Sequence, residues 1–397
     1  MRRWFAISLV GGVLCGPAFG QADSLRQCNG NDPTQVIIGC SVILQASSRQ
    51  PPRVKSGAYT NRARAYVQRG QIERALADFE QAVKLDSKNS RAYASRGDLY
   101  AAQGDFEHAL ADYNQAVTVN PRDFEAYSQR GNAYLMMNDF ERAIADYDKA
   151  IAVNSRFLAA YANRGEAYRV QGDNDRAIEN YNQAIKLDSK FVRAYDSRGL
   201  AYIEKGEYER ALADFNRAIT LDPKFVMAYA HRAFAHQEAG DFDAALADFE
   251  QAIRQDPDNP ETYMGRAEIY QSRNDHARAI EDYNHAIALD PDNADAFSNR
   301  GTAYARSGDF THAITDYDQA LRLNPSLPGI YANRGLALLK MEQYARAISD
   351  FTSAVVRDPK DALSLYNRGV AKQKSGDNTG ADLDVLQARQ IDPNVGK

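Results

Sequence analysis

An arginine recurs every 34 residues along the chain, and in nine of its ten appearances an aspartate follows 16 residues later: Arg62 and Asp78, Arg96 and Asp112, and so on to Arg368 and Asp384. Only Asn180, after Arg164, breaks the row. Guanidinium and carboxylate can form a charged, two-pronged hydrogen bond, so the pairing supports either an internal ionic brace or a stripe of arginines held out to an acidic ligand. Three residues before each arginine stands a tyrosine, replaced by Phe297 and Leu365 in two copies. Such tyrosines could stack on sugars or bases. Their register favours packing: of 23 tyrosines, eight stand at position 4 of the 34-residue unit, seven at 11 and five at 24, leaving Tyr208, Tyr344 and Tyr366. The six histidines (His108, His231, His236, His276, His285, His312) form no metalloprotease-type pair, and no glycine-rich phosphate loop follows a strand. No serine or cysteine nucleophile has an evident base, so the sequence predicts neither catalysis nor a cofactor or metal.

A fixed period of this length belongs to a stacked array, in which each unit buries its apolar side only against the next. Within Ser90 to Asp123, Tyr93, Gly97 and Tyr100 lie at helical spacing and Gly104-Asp105 breaks the run. Ala109, Tyr113 and Ala116 resume it before Asn120-Pro121 ends it. Each unit therefore reads helix, turn, helix. Alanine fills positions 20 and 27 in all ten units and glycine or alanine fills position 8, so helix axes can approach closely there. In a hairpin turning near position 15, the arginine at 7 and the aspartate at 23 come to the same height.

This pattern resembles the tetratricopeptide repeat family, with its bulky residue at position 4, small residues at 8, 20 and 27, aromatics at 11 and 24, and proline at 32 (Pro121, Pro223, Pro257, Pro291, Pro325, Pro359, Pro393). Tyrosine at 4 instead of tryptophan and arginine at 7 instead of leucine depart from it. The resemblance implies an all-α fold, a right-handed superhelical α-solenoid of about ten repeats over residues 56–395, the tenth degenerate and acting as its own cap, with residues 396–397 as a tail. It also implies a non-enzymatic scaffold that binds a protein or peptide in a groove lined by positions 2, 5, 6, 9, 12 and 13 of the first helices. Position 5 carries no base, and position 2 only Arg91 and Arg193, so the clustered charge of family members that clamp a carboxylate is missing. The groove candidates are the asparagines Asn163, Asn299 and Asn333, with His231, and two apolar stretches: Leu200, Ile203, Met227 and Phe234, then Leu336, Leu339 and Val370. These apolar side chains either meet a partner or pack against adjacent helices.

The N-terminal end differs. Arg2 and Arg3, an apolar run from Trp4 to Leu14, and small residues at Ala18 and Gly20 read as a signal peptide over residues 1–20. A retained anchor or a lipid-modified Cys15 are the competing readings. Cleavage would leave 46 basic and 53 acidic residues, with no basic cluster for nucleic acid and no membrane span. Residues 21–55 read as a cap: a loose polar stretch from Gln21 to Asn31, then a helix from Asp32-Pro33 whose stripe is Ile37, Ile38, Ile43 and Leu44, then a link from Ser47 to Lys55. Cys28 and Cys40 point to a disulfide, ahead of free thiols or a metal site. The compartment expected is the periplasm or the exterior. The rivals to a dedicated scaffold are a periplasmic chaperone or envelope-assembly factor and a cell-wall glycan-binding protein.

Overall fold

The structure, a computed structural model, describes residues 17–46, 50–327 and 329–397, with side-chain positions from Ala22 onward. The expected signal segment lies almost wholly outside the described residues. Two helices open the fold, α1 (Pro17–Cys28) and α2 (Pro33–Gln45). Helix pairs follow: α3 (Pro52–Gln68) and α4 (Ile72–Leu85), α5 (Ser90–Ala102) and α6 (Phe106–Val119), α7 (Phe124–Met136) and α8 (Phe140–Val153), α9 (Leu158–Val170) and α10 (Asn174–Leu187). Next come α11 (Val192–Glu204) and α12 (Tyr208–Leu221), α13 (Val226–Glu238) and α14 (Phe242–Gln255), α15 (Pro260–Ser272) and α16 (His276–Leu289). The last are α17 (Ala294–Ser307) and α18 (Phe310–Leu323), α19 (Ile330–Lys340) and α20 (Tyr344–Arg357), and α21 (Ala362–Ser375) and α22 (Asn378–Ile391). The chain forms two compact units, one ending at Ser197 and the other beginning at Arg198. Each is an all-α stack of helix hairpins.

Local chemistry sets the hairpin. Position 15 takes positive φ in every repeat, supplied by glycine from Gly70 to Gly376 and by Asn138, Asn274 and Glu342 in the other three. The next residue is an aspartate in most repeats, and Asp105, Asp139 and Asp309 each accept a backbone N–H three residues on, which caps the second helix. Asn89, Asp123 and Asp361 cap first helices in the same way. Alanines such as Ala75, Ala82, Ala109 and Ala116 are fully buried, and the ring at position 24 fills the space between the helices. A Cβ on Gly97 would stand 2.8 Å from a ring carbon of Tyr113, so glycine there allows the ring to lie against the backbone.

The N-terminal end departs from the sequence expectations. The stretch expected to be loose is helical through Cys28, because α1 packs on α2 and α3 with Ser24 and Cys28 buried, and the Cys28–Cys40 disulfide ties it down. Helix α3 starts at Pro52 and takes in Arg53 to Lys55, part of the expected link, since proline fits the first helical turn. The apolar stripe of α2 is phased differently: Val36, Gly39, Cys40 and Ile43 are buried while Ile38 is 48% exposed. At the other end, Val395 folds back against Leu365 and Ala388, so the last residues help to close that core. Leu383 and Leu386, 63% and 58% exposed, replace the small or polar residues of earlier repeats and face solvent.

Candidate binding face

Within the first unit α3, α5, α7 and α9 touch in succession; in the second, α13 touches α15, and α17, α19 and α21 touch in turn. No two second helices approach to the same extent among the described residues. Each stack is therefore tighter on the side of the first helices, and positions 2, 6, 9 and 13 of those helices form one stripe on that inner side.

The arginine at position 7 lies at the edge of this face but is fully engaged. Nε and Nη2 of Arg130 donate to the two oxygens of Asp146 at 2.7 and 2.6 Å, and the same fork joins nine repeats, including Arg62 to Asp78 and Arg368 to Asp384. In several repeats the third nitrogen reaches position 25 of the preceding repeat: Arg130 donates to Asn114 at 2.6 Å and Arg300 to Asn284 at 2.7 Å. Arg62, which has no preceding repeat, donates to Ser41 of α2 at 2.9 Å. Where Asn180 replaces the aspartate, Arg164 bonds its Oδ1 at 2.8 Å and pairs with the Asp148 carboxylate instead. Arginines such as Arg130, Arg232, Arg300 and Arg334 thus join the two helices of their own repeat to the repeat before, while Arg96 and Arg266 bond only within their own. The hydrogen bonds to aspartate outweigh burial and raise the arginines Arg62, Arg96 and Arg130 above their usual range.

The tyrosines are engaged as well. At position 11 the guanidinium at position 19 covers one face, with Arg142 at 4.5 Å from the Tyr134 centroid and Arg278 at 4.3 Å from that of Tyr270. His108 and His312 take the same place over Tyr100 and Tyr304 while their Nδ1 atoms meet Asp105 and Asp309. At position 24 the ring is buried, and in four repeats its hydroxyl bonds the side chain at position 9. Tyr113 donates to Asp98 at 2.8 Å, Tyr147 to Asn132 at 2.7 Å, Tyr181 to Glu166 at 3.0 Å, and Tyr317 meets Thr302 at 3.1 Å. Where position 24 is Phe215, Phe249 or Phe351, position 9 is Leu200, Phe234 or Leu336, and Val385 goes with Val370; two repeats depart, Phe79 standing with Arg64 and Tyr283 donating to Gln271 at 3.2 Å in place of Glu268. A buried hydroxyl requires a polar partner and a phenyl ring does not. Burial raises the phenols of Tyr113, Tyr147, Tyr181 and Tyr283 far above the ordinary value, and the carboxyls of Asp98 and Glu268 are also pushed up by burial.

This coupling decides where the candidate groove residues stand. Phe234 packs edge-on against Phe249 with centroids 5.2 Å apart, and Leu336 and Leu339 pack on the core that holds Phe351. Leu200, Ile203 and Val370 are half-buried. His231 sits 5.9 Å from the Phe215 ring. Asn163 donates to Asn132 at 2.9 Å, bridging two repeats, as Gln129 does to Asp98 at 2.9 Å. Asn299 and Asn333 are half-buried at the same register position. Met227 alone of the apolar set is well exposed, at 41%. In the second unit Leu363, 57% exposed, stands at the same position 2; in the first unit Met136 at 70% and Val170 at 48%, both at position 13 of the first-helix stripe, are exposed, with Met137 beside them. Their signal was the Leu135-Met136-Met137 run, apolar at a register the repeat does not need. Among the described residues no group of histidine, cysteine, aspartate or glutamate could hold a metal ion.

Sequence profiles described as "TPR repeat" match residues 63–104, 97–138, 165–206 and 199–240, and profiles described as "Tetratricopeptide repeat" match 124–157, 232–294, 266–327 and 333–394. The chain belongs to the tetratricopeptide repeat family. Among solved structures, this tetratricopeptide repeat protein is similar to one from Parabacteroides merdae, at 21% identity and a TM-score of 0.52 over 63% of this chain and 98% of that one. It is also similar to a thermophilic TPR protein of Thermus thermophilus, at 23% identity and a TM-score of 0.41 over 46% of this chain and 99% of that one. YrrB, described as having an unusual peptide-binding site, matches at 24% identity and a TM-score of 0.37 over 46% of this chain and 95% of that one. No curated protein matches the chain. Membership in the family makes the protein an interaction scaffold in general terms. No described helix is long and apolar enough to cross a membrane.

Proposed function

We propose that this tetratricopeptide repeat protein is a non-enzymatic scaffold that holds an extended or helical segment of a partner protein along the inner, first-helix face. The observation that carries the reading is the exposure of apolar side chains on the first-helix faces, Met136 and Val170 in the first unit and Met227 and Leu363 in the second, which neither the ionic braces nor the pairs at positions 9 and 24 engage. Export to the periplasm or the exterior belongs to the same proposal. The basic and apolar start of the sequence and the Cys28–Cys40 disulfide support it. A second reading, a chaperone of exported chains, draws on Met136 and Met137, because methionine surfaces adapt to many partners.

Immobilised protein exposed to an envelope extract should retain one or two partners, identified by mass spectrometry. A variant carrying Met136→Asp and Met227→Asp should fold as before and lose them. Retention of a broad set of unfolded exported proteins would favour the chaperone reading. Undiminished retention by the variant would remove the inner face from the account.

A further inference from the structure

We infer that α22, the last helix of the second unit, is a self-association surface: two copies of this chain pair through it, antiparallel, about a twofold axis. Positions 22 and 25 are leucine only here, as Leu383 and Leu386. The other nine repeats carry alanine, serine, threonine or glutamate at 22 and asparagine, aspartate, glutamate or threonine at 25. Within the stack, position 25 can accept a bond from the arginine of the following repeat, as Asn284 does from Arg300. Leucine accepts none, so α22 is not shaped to receive a further unit of this kind. Neither leucine serves the fold either, since both side chains face solvent. Val356, 74% exposed, stands on the matching stripe of α20 at position 29 and adds to the apolar surface on the second helices of these last two repeats.

The flanking charges say what covers this face. At about 100° per residue, Arg389, Asp382, Leu386, Gln390 and Leu383 fall on one arc of about 120°, opposite the buried Ala381, Asp384 and Ala388. Asp382 and Arg389 are exposed, and neither has an ion pair or hydrogen bond among the described residues; the cations of this repeat, Arg368 and Lys372, go to Asp384 instead. An antiparallel second α22, centred between Leu383 and Leu386, sets each Leu383 against Leu386 of the other copy. It also sets Asp382 at one end against Arg389 at the other. The patch therefore complements itself, which is the condition for a contact of one surface with its own copy. A parallel neighbour would set Asp382 against Asp382. Exposed ion pairs contribute little, so the leucines supply the affinity and the charges fix the direction. One helix face falls short of the roughly 1,600 Å² that standard interfaces bury in all, which makes the dimer weak and dependent on concentration. Pairing doubles the number of inner faces in one particle, and a partner with two matching segments gains by engaging both.

Sedimentation equilibrium on the whole protein reads the pairing. The average mass should sit near one chain at about 1 μM and approach two chains, and no more, at about 500 μM. A variant with Leu383→Asp and Leu386→Asp, both at exposed side chains, should keep its circular dichroism and urea transition and stay a monomer throughout. Asp382→Arg and Arg389→Asp should each weaken self-association about tenfold by setting like charges face to face. Mixed together, those two variants should associate as well as wild type, because each carries the charges the other lacks, and a chain with both changes should associate again. Growth beyond two chains, as in a head-to-tail contact with the exposed Ile38 and Val42 of α2, would overturn the twofold arrangement. A monomer at every concentration, association undiminished by the leucine changes, or no recovery in the mixture would overturn it as well. None of these outcomes bears on the Met136 face, which partner retention tests separately.

Discussion

Arginine at position 7 commits two nitrogens to its own repeat and, in repeats such as those of Arg130, Arg232 and Arg300, the third to an asparagine of the preceding repeat. The aspartates that receive it are buried, Asp146 and Asp316 at 4% exposure. Removing the arginine therefore leaves a carboxylate in a poorly solvated place, which costs more than the pair contributes when intact. Arg130→Leu should lower stability by about 3 kcal/mol, the lower end for breaking a buried pair, read from the shift of the urea transition. No change in that transition would mean that the brace is incidental. The buried phenols make a second case. Because the folded-state values of Tyr113, Tyr147, Tyr181 and Tyr283 are raised, they contribute stability that is fully present below the unfolded value of about 10 and is lost as pH rises through the folded value. An absorbance titration should show these tyrosines ionising only together with unfolding, after the exposed ones. Smooth ionisation of every tyrosine near pH 10 in a folded protein would contradict their burial.

Between elements, the pairing of positions 9 and 24, which holds in eight of the ten repeats, is a pattern that the repeat alone does not reveal. Tyr147 with Asn132 and Phe249 with Phe234 are two solutions to one contact between a first and a second helix. Phe249→Tyr should cost about 1 to 3 kcal/mol by burying a hydroxyl without a partner, and Phe234→Asn on that background should recover much of it. A double-mutant cycle with no coupling would show that the two positions vary independently. Spacing made the helix pairs, the alanine contacts and the position-7 brace legible, because each is a one-residue pattern repeated in register. The coupling was hidden because it links two columns, each of which looks irregular by itself. It also explains why Phe234 and Leu336, which stand out from the sequence as groove residues, turn out to be in contact with the core. The hairpin α1–α2 was only half legible: Cys28 and Cys40 announced the bond, but nothing in Gln21 to Asn31 announced a helix stabilised by packing.

For the molecule as a whole, the formal charge of −5 is spread over repeats whose charges are largely consumed in braces and caps. What remains for recognition is unevenly placed: exposed methionines and a valine on the inner side of the first unit, and Met227 and Leu363 in the second. The regular residues thus build the stack, and the irregular ones mark where it meets a partner. A photo-crosslinking amino acid placed singly at Met136, Met227, Lys149 or Lys186 compares the two sides directly, the lysines being exposed on second helices. Illumination in cells should give partner adducts from positions 136 and 227 and none from 149 and 186. Adducts from the second-helix positions, with the inner-face positions silent, would contradict the account.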